Sequence, residues 1–412
     1  MLDIKNIKSN KAEVEKALLK RMAKQDLKLD AIIKIDDERV ALLFQIETLN
    51  AKRNKASKTK PDAKTIKEMK LVGKEIKVLE EKLTKLDFSK LAALPNIPAD
   101  DVVAGGKENN KIIKSFKKQP KFNFKFKNHV DLATDLGLID YQRATKMSGA
   151  GFWAYTGDGA LLEWALLNYF IDFHRSHREY KFMIPPYMLN ENSAFISGHL
   201  PKFKDDLFWT DKDKLCLNAT SEMMLGNYHA GEILNVKDLP LKYYAFSTCF
   251  RKEAGAYRTE ERGMIRGHQF NKIEMFQFTK PEDSWKAFDE LLKYAQELVA
   301  GLDLHYNTVQ LAAGDCSAAM AKTVDLEVWL PSMKTYKEVS SISNAWDYQA
   351  RRGNIRFKDS AGQNKFVHTL NASGLATSRI FPAILEQHQQ ADGSVKIPKV
   401  LQKYMAKKVL KK

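Results

Sequence analysis

The chain has 412 residues, 44% hydrophobic and 29% charged, with a formal net charge of +16. That allows a large core plus a second domain, and so positive a balance fits a polyanionic partner such as nucleic acid. Cys216, Cys249 and Cys316 have neither zinc-ligand nor disulfide spacing, and neither a signal-peptide core nor an apolar run of about 18 residues is present, so a cytoplasmic protein with reduced thiols and no membrane partner is expected.

Residues 1 to about 90 contain one glycine, Gly73. Ile32, Ile35, Arg39, Leu42, Ile46, Leu49, Arg53 and Ala56 follow alternating steps of three and four, and so do Met69, Val72, Ile76, Leu79, Leu83 and Leu86. This spacing predicts two helices, each with a mainly apolar seam. Pro61-Asp62 breaks the pattern between them, which predicts an antiparallel hairpin. About 30 residues of helix would reach roughly 45 Å. The turn region from Ala51 to Lys60 carries Lys52, Arg53, Lys55, Lys58 and Lys60 and no acid. It reads either as a solvated charged tip or as a phosphate contact.

LPNIPADDVVAGG, Leu94 to Gly106, reads as a linker. The segment after it interleaves lysines with Phe116, Phe122, Phe124 and Phe126. It could stack on RNA, but a basic edge strand packing its phenylalanines on the body is the preferred reading. The expected organisation is an arm domain over 1–105, a linker and edge segment over 106–128, and a main domain over 129–412. From His129 onward, β-rich runs such as LKYYAFSTCF, NKIEMFQFT, DLEVWLP and YKEVSSIS alternate with helical stretches such as PEDSWKAFDELLKYAQELVAGL. The predicted class is α+β, with a mostly antiparallel sheet flanked by helices.

Four constellations carry chemistry. In FRKEAG, Arg251 and Glu253 stand two apart, which on a strand points both to one face. There a guanidinium can hold a carboxylate and a phosphate; the plainer reading is an ion-paired hairpin. A returning strand carries Phe270 and Glu274. In NASGLATSR, small residues that permit close backbone approach lead into a helix bearing Arg379. In YKEVSSISNAWDYQARR, Glu338 and Ser341 offer hard oxygen ligands for a magnesium ion bridging phosphates. In NATSEM, Thr220 and Glu222 could take an ammonium group and a hydroxyl.

In this order the pieces resemble the three motifs of class II aminoacyl-tRNA synthetases. IPPYMLNENSAFISGHLPKF looks like the first, with Pro185 and Pro186 as candidates for its dimer-interface proline. FRKE with HQFNKIE looks like the second and NASGLATSR like the third. The resemblance to the seryl-tRNA synthetase family, in its bacterial, zinc-independent form, covers almost the whole chain. It includes MLDIKNI, LPNIP, HAGEIL, AGDCSAAMAKTVDLEVWLP, SSISNAWDYQARR and FVHTLN.

The resemblance implies a homodimer that activates serine with ATP and loads the seryl group onto the 3′ end of tRNA-Ser, the arm holding the tRNA through Lys52, Arg53, Lys55, Lys58 and Lys60. It implies that Arg251 and Arg379 are the catalytic cations. Arg251 would bridge the serine carboxylate and the α-phosphate, and Arg379 would cover adenine and touch the γ-phosphate. Serine would also be met by Thr220, Ser221, Glu222, Glu274, Asn371 and Ser373. Lys252, Glu253, Phe270, Glu338, Val339, Ser340 and Ser341 would complete the ATP site. Glu338 and Ser341 would carry Mg2+. The chain departs from the family pattern at Ala372, Ser378, Ala313 and Ser221, and in the AYRTEERG loop, without losing a charged catalytic group. His174 and His177 form an HxxH read as an exposed helix face. Two alternatives are a ligase that loads a carrier protein and a non-catalytic relative. The long basic arm speaks against the first, and the presence of Arg251, Glu253, Glu338 and Arg379 against the second.

Overall fold

The computed structural model describes residues 1–58, 62–254 and 263–412. It divides into two compact units, Met1–Pro95 and Asn96–Lys412.

In the first unit, helix α1 (Leu29–Ala56) lies against helix α2 (Ala63–Thr84). Leu42 and Ile46 bury themselves against Val72, Ile76 and Leu79, with Leu49, Met69, Leu83 and Leu86 partly covered alongside. These are the residues of the two seams. Arg39, polar within its seam, pairs instead with the buried Asp36 at 2.7 Å. The Asp62 side chain caps α2 by accepting from the Thr65 backbone N–H at 2.7 Å. Arg53, Lys55 and Lys58 are exposed. Lys52 pairs with Glu68 of α2 at 2.6 Å. The window from 51 to 60 holds no acid of its own, but the facing helix supplies one to Lys52. Lys60 lies outside the described residues.

The unit boundary falls ten residues before the expected one at 105. Buried Asn96 donates its amide to the Ala319 and Ala345 carbonyls at 3.0 and 2.8 Å. The Gly314 N–H donates to the Gly105 carbonyl at 2.8 Å. Residues 96–105 have linker composition, yet their polar groups are satisfied by the second unit, so they belong to it.

The second unit is built on an eight-stranded sheet. Its strands, in chain order, are β1 (Lys111–Phe116), β2 (Tyr180–Met183), β3 (Leu241–Phe250), β4 (Gln269–Thr279), β5 (Tyr306–Gln310), β6 (Lys322–Leu330), β7 (Thr335–Asn344) and β8 (His368–Ala376). The spatial order is β1-β5-β6-β7-β8-β4-β3-β2. Every pairing is antiparallel except that of β2 with β3. β1 is the lysine-rich edge strand, and its Phe116 stacks on Tyr306 at 5.3 Å. Phe122, Phe124 and Phe126 pack on one another.

One face is covered mainly by helices α3 (Asp158–Ser176), α4 (Ser284–Gly301) and α5 (Thr377–His388). Leu162, Leu166 and Phe170 of α3, Leu291 and Leu298 of α4, and Phe381 and Ile384 of α5 form one core with Ile273, Leu326 and Ile342 of the sheet. Among the described residues no helix is long and apolar enough to cross a membrane.

His174 corrects the exposed-face expectation for the HxxH. It lies fully buried on the inner side of α3, with Nε2 3.2 Å from the Gly374 carbonyl, and burial pushes the imidazole down to about 3. His177, half-buried, stacks on Tyr294 at 3.9 Å. Helical periodicity could not assign this face, because α3 is apolar on both sides; its outer side exposes Leu161 and Trp164.

Candidate active site

Strand pleating divides the side chains of each strand between two faces. On β4, Ile273 and Met275 face the helices and join the core, while Phe270, Lys272 and Glu274 face the other way. On β8, Leu370 and Ala372 face the core, leaving Asn371 and Ser373 to the opposite side. On that side the sheet floors an open cavity of ≈ 690 Å³, bordered among others by Thr220, Glu222, Arg251, Lys272, Asn371 and Arg379. A smaller cleft continues from it past Glu253, Arg266, Phe270 and Val339.

One end of the cavity is built around two carboxyls. Asn371 donates to Glu274 Oε1 at 3.0 Å and lies 3.4 Å from Glu222 Oε2. Thr220 donates to Glu274 Oε2 at 3.3 Å. Gln349 donates to Glu222 Oε1 at 2.7 Å and itself accepts from Thr369. The Lys272 ammonium pairs with Glu274. Burial, and then the charge of Glu274, pushes the Glu222 carboxyl up to about 7. This acid pair, with its flanking hydrogen-bonding groups, suits a small cation bearing a hydrogen-bonding group.

Arg251 and Glu253 do not sit on a strand, as their spacing predicts. β3 ends at Phe250, and Glu253 has φ 53°. The turn still delivers both side chains to the site. Arg251 is fixed by an Nε hydrogen bond to the Ala219 carbonyl at 3.2 Å and lies over the Phe270 ring at 5.3 Å. Glu253 accepts from Arg266 at 2.8 Å. Arg379, the third residue of α5, donates Nη1 to the Glu338 carbonyl at 2.7 Å and Nε to the Ile265 carbonyl at 3.3 Å.

The third region is acidic. Asp325 and Glu327 of β6 and Glu338 and Ser341 of β7 all border the cavity. Asp325 is buried, its Oδ1 has no hydrogen-bond partner, and burial followed by the charge of Glu338 holds its carboxyl well above the usual range. Among the described residues no three His, Cys, Asp or Glu side chains converge into a closed metal site. Glu338 and Ser341 offer the cavity two hard oxygens, the donor type that suits an ion whose remaining ligands are phosphates and water.

The sequence-predicted residues divide as follows. Thr220, Glu222, Arg251, Glu253, Phe270, Glu338, Val339, Ser341, Asn371, Ser373 and Arg379 border the cavity or its cleft. Glu274 lies beneath them, fully buried. The other three point elsewhere. Buried Ser221 bonds the Ser247 hydroxyl at 2.7 Å, buried Ser340 donates to the Ser373 carbonyl at 2.7 Å, and exposed Lys252 lies 5.7 Å from the Phe208 ring. AYRTEERG falls almost wholly on residues outside the described ones. Sequence reasoning missed Lys272, Asp325 and Arg266. Period-two reading of β4 from Phe270 to Glu274 would have found Lys272. Period-two reading of β6, where Thr323, Asp325 and Glu327 alternate with the apolar Val324, Leu326 and Val328, would likewise have found Asp325; Arg266 leaves no such local signal.

Comparison with known proteins agrees with this geometry. The family model for the seryl-tRNA synthetase N-terminal domain matches residues 1–98. That for the class II tRNA synthetase core domain (G, H, P, S and T) matches residues 203–388. The chain is 50% identical to serine–tRNA ligase 2 of Clostridium acetobutylicum, covering 99% of each chain. It is 45% identical to serine–tRNA ligase of Petrotoga mobilis, covering 100% of each. The crystal structure of seryl-tRNA synthetase from Pyrococcus horikoshii complexed with ATP superposes with a TM-score of 0.90 at 36% identity, over 100% of this chain and 99% of that one. Prolyl-tRNA synthetase of Giardia lamblia shares the fold, with a TM-score of 0.59 at 17% identity over 68% of this chain and 57% of that one. The chain belongs to the seryl-tRNA synthetase family, an N-terminal helical arm joined to a class II synthetase core.

Proposed function

We propose that the chain is a serine–tRNA ligase that converts serine and ATP to seryl-adenylate and pyrophosphate, then transfers the seryl group to the 3′ end of tRNA-Ser. The observation that carries this reading is the Glu222–Glu274 pair, bonded by Asn371 and Thr220, whose Glu222 borders the cavity beside Arg251 with Glu274 beneath it. The acid pair takes the serine ammonium, and neighbouring polar groups take its hydroxyl. Arg251 draws the serine carboxylate toward the α-phosphate. That carboxylate is already a nucleophile, so activation needs alignment and charge neutralisation and no general base. Phe270 and Arg379 enclose adenine, with Glu253 at its edge. Glu338 and Ser341, beside the unpartnered Asp325 oxygen, would hold Mg2+, which when bound would neutralise phosphate charge.

The arm grips tRNA through Arg53, Lys55, Lys58 and Lys60, with Lys52 shared with Glu68. A homodimer is supported by the exposed apolar residues Phe182, Ile184 and Met188, close to Pro185 and Pro186 in the chain, and by exposed Leu161 and Trp164 on α3. The cytoplasm is the proposed location. The test is ATP–pyrophosphate exchange with serine, alanine and glycine, followed by charging of unfractionated tRNA. A hydroxyl-binding site should favour serine over alanine by about 10⁴-fold or more. Equal rates with serine and alanine overturn the substrate assignment.

A further inference from the structure

Glu163 lies on α3, on the helix side of the sheet and away from the cavity. It is 3% exposed. Its Oε1 accepts from Thr377 Oγ1 at 2.7 Å and from Asn271 Nδ2 at 2.9 Å. Asn271 in turn accepts from Thr248 of β3 at 2.9 Å. Burial pushes the Glu163 carboxyl up to about 7, against the hydrogen bonds from Thr377 and Asn271. An apolar side chain would fill this space without the cost of burying a carboxyl, so packing alone does not account for it.

The positions of the two partners are informative. Asn271 stands between Phe270 and Lys272 on β4, and the pleat turns it to the helix side while its neighbours face the site. Thr377 opens α5, two residues before Arg379, directly after a register shift between Ser373 and Ala376. One carboxylate oxygen thus joins the strand that carries Phe270 to the helix start that carries Arg379. α3 holds the same segment again at the Gly374 carbonyl through His174. There is little slack, since a Cβ at Gly374 would stand 2.3 Å from His174 Nε2.

We propose that Glu163 is a positioning residue of the nucleotide site: by holding Asn271 and Thr377 from behind the sheet, it fixes the separation between Phe270 and Arg379. This rests on the assignment of those two residues to the adenine of ATP. It predicts a selective effect, because the carboxyl pair at the serine end is braced separately through Asn371, Thr220 and Gln349.

The test uses the full chain and three variants, Glu163→Met, Glu163→Gln and Thr377→Val. ATP affinity is measured directly by equilibrium dialysis, and KM for ATP and for serine by pyrophosphate exchange. Glu163→Met, which removes the acceptor, is expected to weaken ATP binding by about ten-fold. Thr377→Val is expected to weaken it by about three-fold, with KM for serine within about two-fold in both. Glu163→Gln keeps an oxygen acceptor and should stay within about two-fold of the parent on every measure. A folded Glu163→Met with parental ATP affinity overturns the proposal, as does a parallel rise in both KM values. If Glu163→Met does not fold, parental ATP affinity in Thr377→Val overturns it. If the parent binds ATP but supports no serine-dependent exchange, the serine–tRNA ligase reading fails, and the dialysis ratios still decide the role of Glu163.

Discussion

Glu338 and Ser341 are three residues apart on β7, yet both side chains border the cavity. A regular strand would send them to opposite faces. Glu338 pairs with Glu327 and Ser340 with Leu326, so Val339 is an extra residue without a partner on β6. This bulge returns Ser341, opposite Asp325, to the face that Glu338 occupies.

That relationship makes a metal prediction. Glu338→Gln and Ser341→Ala are each expected to raise the Mg2+ concentration giving half-maximal exchange by about ten-fold, with little change in thermal stability. Titrating Mg2+ in the exchange assay checks this. An unchanged midpoint in both variants would place the ion elsewhere.

Arg251 is the cation aimed at the reacting centre, held by Ala219 and backed by Phe270. Arg251→Ala is expected to slow adenylate formation by about 10²–10³-fold, the cost of one preorganised contact at developing charge. Single-turnover adenylate formation and a melting curve on the same sample separate chemistry from folding. Adenylate formation within a few-fold of the parent would reject the assignment.

Glu222 supplies a pH signature. Its carboxyl sits near 7 in the folded protein against an ordinary 4.5. The unfolded chain gives up this proton first, so the stability this group contributes is full below about 4.5 and lost as pH rises through about 7. An arriving serine ammonium favours the ionised form. Serine binding should therefore strengthen as pH rises toward 7 and release a proton below it. Calorimetry at pH 6.5 in two buffers of different ionisation enthalpy reads that proton directly. Glu222→Gln should abolish the buffer dependence; its persistence would assign the proton to another group.

The arm prediction follows from its self-contained seam. Replacing residues 30–85 with a short linker should leave serine activation within about two-fold of the parent, because the arm's hydrophobic seam packs on itself. The same change should sharply reduce tRNA charging. Neutralising Arg53, Lys55 and Lys58 should flatten the salt dependence of tRNA binding by about 0.7–0.9 in slope for each phosphate no longer neutralised. Neutralising Lys52 should do less, since Glu68 already engages it. Parallel assays of exchange and charging check this. A parallel fall in both would make the arm part of the core.

The elements were largely legible in the chain. The seams of α1 and α2 follow from periodicity, because a helix with one buried face must repeat its apolar residues at about 3.6, and the strand LKYYAFSTCF follows from its β-branched and aromatic content. Arg251, Glu338 and Arg379, which border the cavity, were named in the chain through the resemblance of their motifs to the family's. What the sequence could not supply was direction and partnership. Spacing of two placed Arg251 and Glu253 on a strand that stops before them. Spacing of three could not reveal the bulge at Val339, which depends on how β6 pairs with β7. Ser221 and Ser340 resemble their site neighbours in type, but they spend their hydroxyls on Ser247 and Ser373 across the fold. His174, Asp325 and Glu163 show the same limit. Whether a polar side chain is solvated, orphaned or holding two elements together depends on contacts between distant segments, and only the tertiary structure decides it.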